Sequence, residues 1–552
     1  MLEELSDDVE TATNALLGPI AVGALAVEGW SETNVSAEVV TDDDFIVGPS
    51  LAVPPRHHYS RTRFCVWYIA TVGAVGGFVM GWGLSSVTGT FVYHDFQQYF
   101  GWDVLPSRQS AGIMSIVVSF TLGAAVGSLL SPSLTHPFGR LLALRFWSVT
   151  ALVGSGIMGF TSWNSLIMLC CGRLVFGLAV GGISTVMPVY VAELAPTEAK
   201  GAVITLWQMG ISAALVVTAG CEVVLVEYEL GWRVALAGGG GAALTLFLML
   251  FTVPESPRWL ISHGRIHEAQ RVLNATRDSY CVMDEIAACL DDSSPSSIRD
   301  GLQSIFRRTN RKCYRSWIAI LFPVFQQTTG INLILTFAPP VFERAIPTTN
   351  LSLYGDLIMN LIGFVSVLFC FVCVDKYGRK VLLLYGGILM ALVLGQASVL
   401  VLCKKERQEV ALMWVLSLCI FFCAFAWSWG PIMWIYAVEL FPASQRIYGA
   451  VLTSTVHWLL AGVVQTISIT SFNKEQLSGI FFFCAVLTTF GVVFFKRVLP
   501  ETSGVSLERS EHLFRHHNVN LKSTRVGRHR SLSIGVVNFV TTSMSSRCCS
   551  TY

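Results

Sequence analysis

Charge is what this chain has least of. Of its 552 residues only 13% are Asp, Glu, Lys or Arg, about half the ~25% share of a soluble globular domain. Stretches such as 113–130, 242–253 and 413–426 carry none at all. The net charge of +1 leaves no electrostatic footprint for nucleic acid. Metal-ligand spacing, a nucleophile elbow and a phosphate loop are all missing. The glycine run 238–241 lies in an apolar segment and lacks the Lys-Ser/Thr that a phosphate cradle requires. The sequence thus points away from enzymes, cofactors and metals. The amino terminus lacks the basic start of a secretion signal, because its weak apolar run, 15–27, follows acidic residues. The fifteen cysteines are scattered, mostly through apolar runs, and read as small buried side chains, not a disulfide frame. The last four residues lack the aliphatic pair of a prenylation box, and the Cys548-Cys549 pair reads as part of an inert tail, with acylation the alternative.

Apolar residues are abundant, at 53%. A helix needs roughly 20 mainly apolar residues to cross a hydrocarbon layer of ~30 Å. Twelve stretches qualify, near 64–90, 110–131, 142–162, 166–190, 202–226 and 232–253, then 317–342, 354–374, 381–402, 411–438, 448–471 and 477–496. The expected fold is all-α and membrane-embedded. An amino-terminal tail, 1–62, precedes a six-helix bundle over 63–253. A polar linker, 254–316, of short amphipathic helices leads to a second bundle over 317–496 and a tail over 497–552. Ten basic residues lie between Arg258 and Arg315, and Lys376, Arg379 and Lys380 join them. By the positive-inside rule these segments and both tails belong in the cytoplasm. Lys404, Lys405 and Arg407 then fall outside and are outvoted. Asn350, in Asn-Leu-Ser, becomes an exterior candidate for a glycan.

The two halves repeat each other. Pro254-Glu255-Ser256-Pro257-Arg258-Trp259-Leu260 closes the first, and Pro500-Glu501-Thr502-Ser503-Gly504 closes the second, 246 positions later. Glu193-Leu194-Ala195-Pro196 and Glu439-Leu440-Phe441-Pro442 share that offset, and Phe138-Gly139-Arg140 recurs as Tyr377-Gly378-Arg379 at 239. In membrane chains, paired repeats around a central site are how alternating access is built. Neutral, hydroxyl-rich solutes need amide donors and acceptors there, because an unpaired polar group in hydrocarbon is costly. Aromatic faces suit the C–H faces of a ring. The chain places Gln208, Gln326, Gln327, Asn332, Trp434, His457 and Trp458 inside apolar spans. Amides gluing helices together and tryptophans filling volume are the alternative reading. Gly430-Pro431, the glycines of 77–89, and Gly172, Gly177, Gly181 and Gly182 are candidate bending or close-packing points.

Together these markers resemble the sugar porter family of the major facilitator superfamily, over roughly 64–508. The resemblance implies transport of a monosaccharide, by default a hexose such as glucose, by a monomeric carrier in the plasma membrane; pentose or polyol stays open. It implies that Gln208, the Gln326-Gln327-Thr328-Thr329-Gly330-Ile331-Asn332 stretch and Trp434 contact the sugar, with His457 and Trp458 beside them. It also implies a latch of charges, Arg140, Glu193, Glu255 and Arg258 from the first half and Asp375, Arg379, Glu439, Arg446 and Glu501 from the second. Plain anchoring by basic loops is the alternative for these. Four departures stand out. His136 occupies the place of a latch carboxylate. Thr336-Phe337 replaces an aromatic pair. Gly363 replaces an asparagine that Asn360 could stand in for. Gly83 replaces the span-one aspartate of proton-coupled members, leaving the intramembrane charge Arg173 without its partner. With that carboxylate gone, the expectation is facilitated diffusion; proton symport and a non-transporting sugar receptor are the alternatives.

Overall fold

The computed structural model describes residues 64–91, 93–102, 106–161, 165–277, 282–291, 298–306, 312–335, 351–402, 408–470, 474–505 and 507. Thr336-Phe337, Asn350, the basic residues 404–407 and nearly all of both tails lie outside them. Helices make up almost everything that is described. In the first half these are α1 (Phe64–Thr90), the short α2 (His94–Tyr99), α3 (Pro106–Gly159), α4 (Leu166–Leu194), α5 (Lys200–Leu225) and α6 (Gly231–Met249). The linker holds α7 (Pro257–Ser262), α8 (Ile266–Thr276), α9 (Val282–Asp291) and α10 (Ile298–Phe306). The second half holds α11 (Lys312–Thr328), α12 (Leu351–Tyr377), α13 (Arg379–Leu402), α14 (Gln408–Trp427), α15 (Trp429–Glu439), α16 (Arg446–Thr470) and α17 (Lys474–Val498).

Among the described residues, eleven apolar stretches are long enough to cross a membrane. One of them, within α3, is broken at Gly139, where φ is 90°, and supplies two crossings. The total of twelve, in two sets of six, fits the expected all-α fold. Large apolar side chains such as Leu129, Phe146, Val153, Leu392 and Phe482 face outward, a surface that lipid covers and water would not tolerate.

The expected loop between spans two and three, about ten residues long, is absent. α3 stays helical through Pro132 and Pro137 and turns at one residue, Gly139. The reason lies far along the chain. Glu255 accepts the Arg140 and Leu141 amides at 3.0 Å each, satisfying N–H groups that a helix start leaves bare. The second half repeats the device, since Glu501 accepts the Arg379 and Lys380 amides at 3.0 and 2.9 Å beside Gly378, φ 92°. A Cβ on either glycine would overlap that carboxylate. Both the positive φ and the close approach therefore demand glycine.

In the linker, Ser256 caps α7, accepting the Trp259 amide at 3.4 Å, with Pro257 in the first turn. Trp259, Leu260, Ile261, Ala269, Leu273, Val282 and Ile286 of α7 to α9 form a small core of their own. The halves meet chiefly along two helix pairs, α5 with α12 and α3 with α16, and α16 also packs on α4 and α15 on α5.

Candidate functional site

A cavity of about 110 Å³ opens between the halves, room for several water-sized groups. The first half lines it with Gln208, Ile211, Ser212 and Leu215 of α5, spaced i, i+3, i+4, i+7 so that they share one helix face; Met80 and Leu84 of α1 join them. The second half contributes Gln326 and Gln327 of α11, then Ile331, Asn332 and Leu335 just beyond it. Phe422, Phe425 and Ala426 of α14, Gly430 and Trp434 of α15, and His457, Trp458, Ala461 and Gln465 of α16 complete the wall. All seven residues singled out in the sequence line this one cavity. Sequence reasoning missed Ser212 and Gln465, although their helical spacing from Gln208 and His457 was a usable signal.

The amides form a chain. Asn332 Nδ2 donates to Gln327 Oε1 at 2.7 Å, and Gln326 Nε2 donates to the Trp429 carbonyl at 2.9 Å. Between them sits His457, whose Nδ1 lies 3.1 Å from both Gln326 Oε1 and Gln327 Nε2. With a proton, that nitrogen donates to Gln326; without one, it accepts from Gln327. It cannot do both, so the imidazole tautomer decides which glutamine is engaged and which can turn to a ligand. Trp434 packs edge-on to Trp207 at 6.1 Å and tilted to His457 at 5.4 Å. Trp458 donates its indole N–H to Ser184 Oγ across the seam at 3.1 Å. The expected helix break falls at Ser428, between α14 and α15. Asn360 does not reach the cavity; it donates to Asp356 Oδ2 at 3.0 Å. Gly363 is filled by a neighbour, since a Cβ there would overlap Phe422, itself a lining residue.

The charges gather at one end, here termed the latch end. Glu193 and Glu439, 246 positions apart, are each fully buried. Arg140 Nε and Arg446 reach Glu193, each at 3.3 Å. Lys200 Nζ and Arg379 NH2 both reach Glu439, at 2.9 and 3.5 Å. The pairs Arg446–Glu193 and Lys200–Glu439 cross between halves, and Lys200 and Arg446 are again 246 apart. Lys200 was overlooked in the sequence. Asp375 also crosses, accepting the Gly201 and Ala202 amides at the start of α5 at 3.2 and 2.7 Å. Arg258 donates to the Glu193 carbonyl at 3.0 Å and pairs with Glu285 at 3.2 Å. Glu255 and Glu501 differ from expectation, because each caps a helix within its own half.

His136 marks the break in this symmetry. Its counterpart Asp375 fills the start of α5 with a carboxylate, whereas His136 offers none to the start of α16. A cavity of about 290 Å³ lies there, lined among others by His136, Arg140, Arg258, His263, Ile447 and Tyr448. Arg173 is accommodated without an acid. Its NH1 donates to the Gly83 carbonyl at 2.8 Å, and its guanidinium lies 4.3 Å over the Phe120 ring. The main chain of the residue that replaces the aspartate thus supplies the acceptor.

The sugar (and other) transporter family matches residues 69–514. Sugar transport protein 7 of Arabidopsis thaliana is 29% identical over 81% of this chain and 90% of its own length. Sugar transport protein MST5 of Oryza sativa subsp. japonica is 31% identical over 72% and 78%. H(+)/hexose cotransporter 1 of Parachlorella kessleri is 26% identical over 81% and 87%. Among solved structures, the proton:xylose symporter XylE with bound 6-bromo-6-deoxy-D-glucose superposes with a TM-score of 0.72 at 24% identity, over 82% of this chain and 99% of that one. Its inward open form gives 0.60 at 23%, over 81% and 99%. The repeat, the twelve crossings and this family match agree: the chain is a multi-pass integral membrane protein belonging to the sugar (and other) transporter family of the major facilitator superfamily.

Proposed function

We propose that this protein carries a monosaccharide, by default a hexose, across the membrane by alternating access, as facilitated diffusion through a monomer. The observation that supports this most is the chain of amides from Asn332 through Gln327 and His457 to Gln326, facing Gln208 across a cavity between two halves. Such a site can trade hydrogen bonds among its own amides for bonds to hydroxyls, and Trp434 offers a ring face. Cross-half charge pairs close the latch end, and breaking them as the halves rock would open the cavity on that side. The latch end is assigned to the cytoplasm, with both termini, and the membrane to the plasma membrane, on the basic linker. Curated relatives named as sugar transport proteins support the solute class.

Uniport is preferred because Gly83 replaces a protonatable side chain and its carbonyl already serves Arg173. Proton symport is the second reading, favoured by the relative named a proton/hexose cotransporter. Uptake of a panel of labelled hexoses, pentoses and polyols in a transport-null cell tests the first claim. Gln326→Ala should abolish uptake while the protein still reaches the membrane; normal uptake would remove the proposed site. In liposomes, accumulation above equilibrium that requires an acid exterior would replace uniport with symport. Counterflow of labelled hexose by the purified protein excludes a receptor that binds without transporting.

A further inference from the structure

Two carboxyl groups lie inside spanning helices yet belong to neither the cavity nor the latch. Glu222, near the end of α5 away from the latch, is 1% exposed, and its Oε1 has no hydrogen-bond partner. Asp356, in the second turn of α12, accepts from the Asn360 amide described above. α5 belongs to the first half and α12 to the second. They touch at this level, where a Cβ on Gly220 would lie 4.0 Å from Leu357 Cδ1. The Asp356 carboxylate is the charge that acts on Glu222.

Apart from Asp356, the groups facing Glu222 from other elements are uncharged among the described residues. At the end of α1 the Gly89 amide interacts with the carboxylate, and a Cβ on Gly89 would overlap it. The Tyr93 hydroxyl donates to the Glu222 main-chain carbonyl at 3.1 Å, and burial pushes that phenol well above its usual range. Cys221 neighbours it on α5 itself. None of the ion pairs described includes Glu222 or Asp356. Lys200 is 22 residues back along α5, roughly 33 Å at 1.5 Å per residue.

We propose that Glu222 and Asp356 form a proton-binding site on the seam between the halves, which takes up one proton as the end away from the latch closes and releases it as that end opens to water. The inference rests on the alternating-access reading above. Two ionised carboxylates in one dry site repel each other and are poorly solvated. A proton moving from water onto a carboxylate oxygen removes one charge and supplies an O–H donor, which the orphaned acceptor geometry lacks. Once water enters, both groups ionise cheaply. The pair lies roughly 10 Å beyond Leu215, the last lining residue of α5, at that rise per residue. It therefore does not touch the sugar, and it exchanges its proton with the same side in both states. It gates transport without coupling it. The closed state binds more protons, so acid favours closure, by up to about tenfold in the closed-to-open ratio per pH unit for one proton.

The test uses full-length protein in liposomes with equal pH inside and out, so that no proton gradient drives anything. Counterflow of labelled hexose in the unaltered protein comes first; its absence would remove the transport reading itself. With counterflow present, net sugar flux should vary with pH, and Glu222→Gln, which has the shape of the protonated group, should flatten that profile to less than about twofold over the same range while retaining counterflow. Asp356→Asn removes the neighbouring negative charge and should move the profile to lower pH. A wild-type profile in Glu222→Gln overturns the proposal. If that variant does not reach the membrane, an unshifted profile in Asp356→Asn overturns it.

Discussion

At the scale of single residues, His457 is the pivot of the cavity. One nitrogen faces a donor and an acceptor at the same 3.1 Å distance, so removing the ring takes the partner from whichever glutamine amide it engages. Each unsatisfied buried polar group costs ~1–3 kcal/mol. His457→Ala should therefore weaken sugar binding at least tenfold. His457→Asn keeps a donor and an acceptor and should stay within about threefold of wild type. Quenching of tryptophan emission, with Trp434 and Trp458 lining the site, reads both constants. Equal losses in the two variants would assign the ring a volume role instead. Arg173 makes the same kind of point, because its bond to the Gly83 carbonyl shows how a membrane arginine is satisfied once its acidic partner is gone.

At the scale of elements, the tight turns from α3's first arm into its second, and from α12 into α13, depend on a capping carboxylate and a glycine acting together. Gly378→Ala combines a left-handed conformation that costs an L-residue ~1–2 kcal/mol with overlap on the Glu501 carboxylate. It should lower the thermal midpoint of the purified protein clearly more than an alanine at Gly395, where a Cβ meets nothing within 4 Å. Gly139→Ala should behave like Gly378→Ala, since Glu255 holds the equivalent place. A null effect at both glycines would mean that the caps are dispensable.

At the scale of the whole molecule, the two halves are held at the latch end by Arg446–Glu193, Lys200–Glu439 and the Asp375 cap on α5. Removing one partner from a buried ion pair costs ~3–5 kcal/mol, here charged against the closed arrangement. Lys200→Met should thus shift spin-label distances between the latch ends of α5 and α16 toward longer values. His136→Asp should act in the opposite direction, by giving the start of α16 the carboxylate that the start of α5 already has. If neither variant moves the distance distribution, the charges anchor the protein and do not latch it.

The sequence by itself determined the twelve apolar crossings, the repeat and the cavity set from Gln208 to Trp458. These are legible because lipid demands long charge-free helices, and because an amide inside such a helix stands out against its surroundings. The roles of Glu255 and Glu501 were not legible: a carboxylate capping a helix more than a hundred positions away leaves no local pattern. Lys200 reads as a loop charge until Glu439 is brought beside it. Glu222 and Asp356 were visible as acids within expected spans, yet only the packing of α5 on α12 makes them neighbours. Periodicity and composition fix what each helix can bury; which partners it buries against depends on contacts between distant segments, and those exist only in the folded chain.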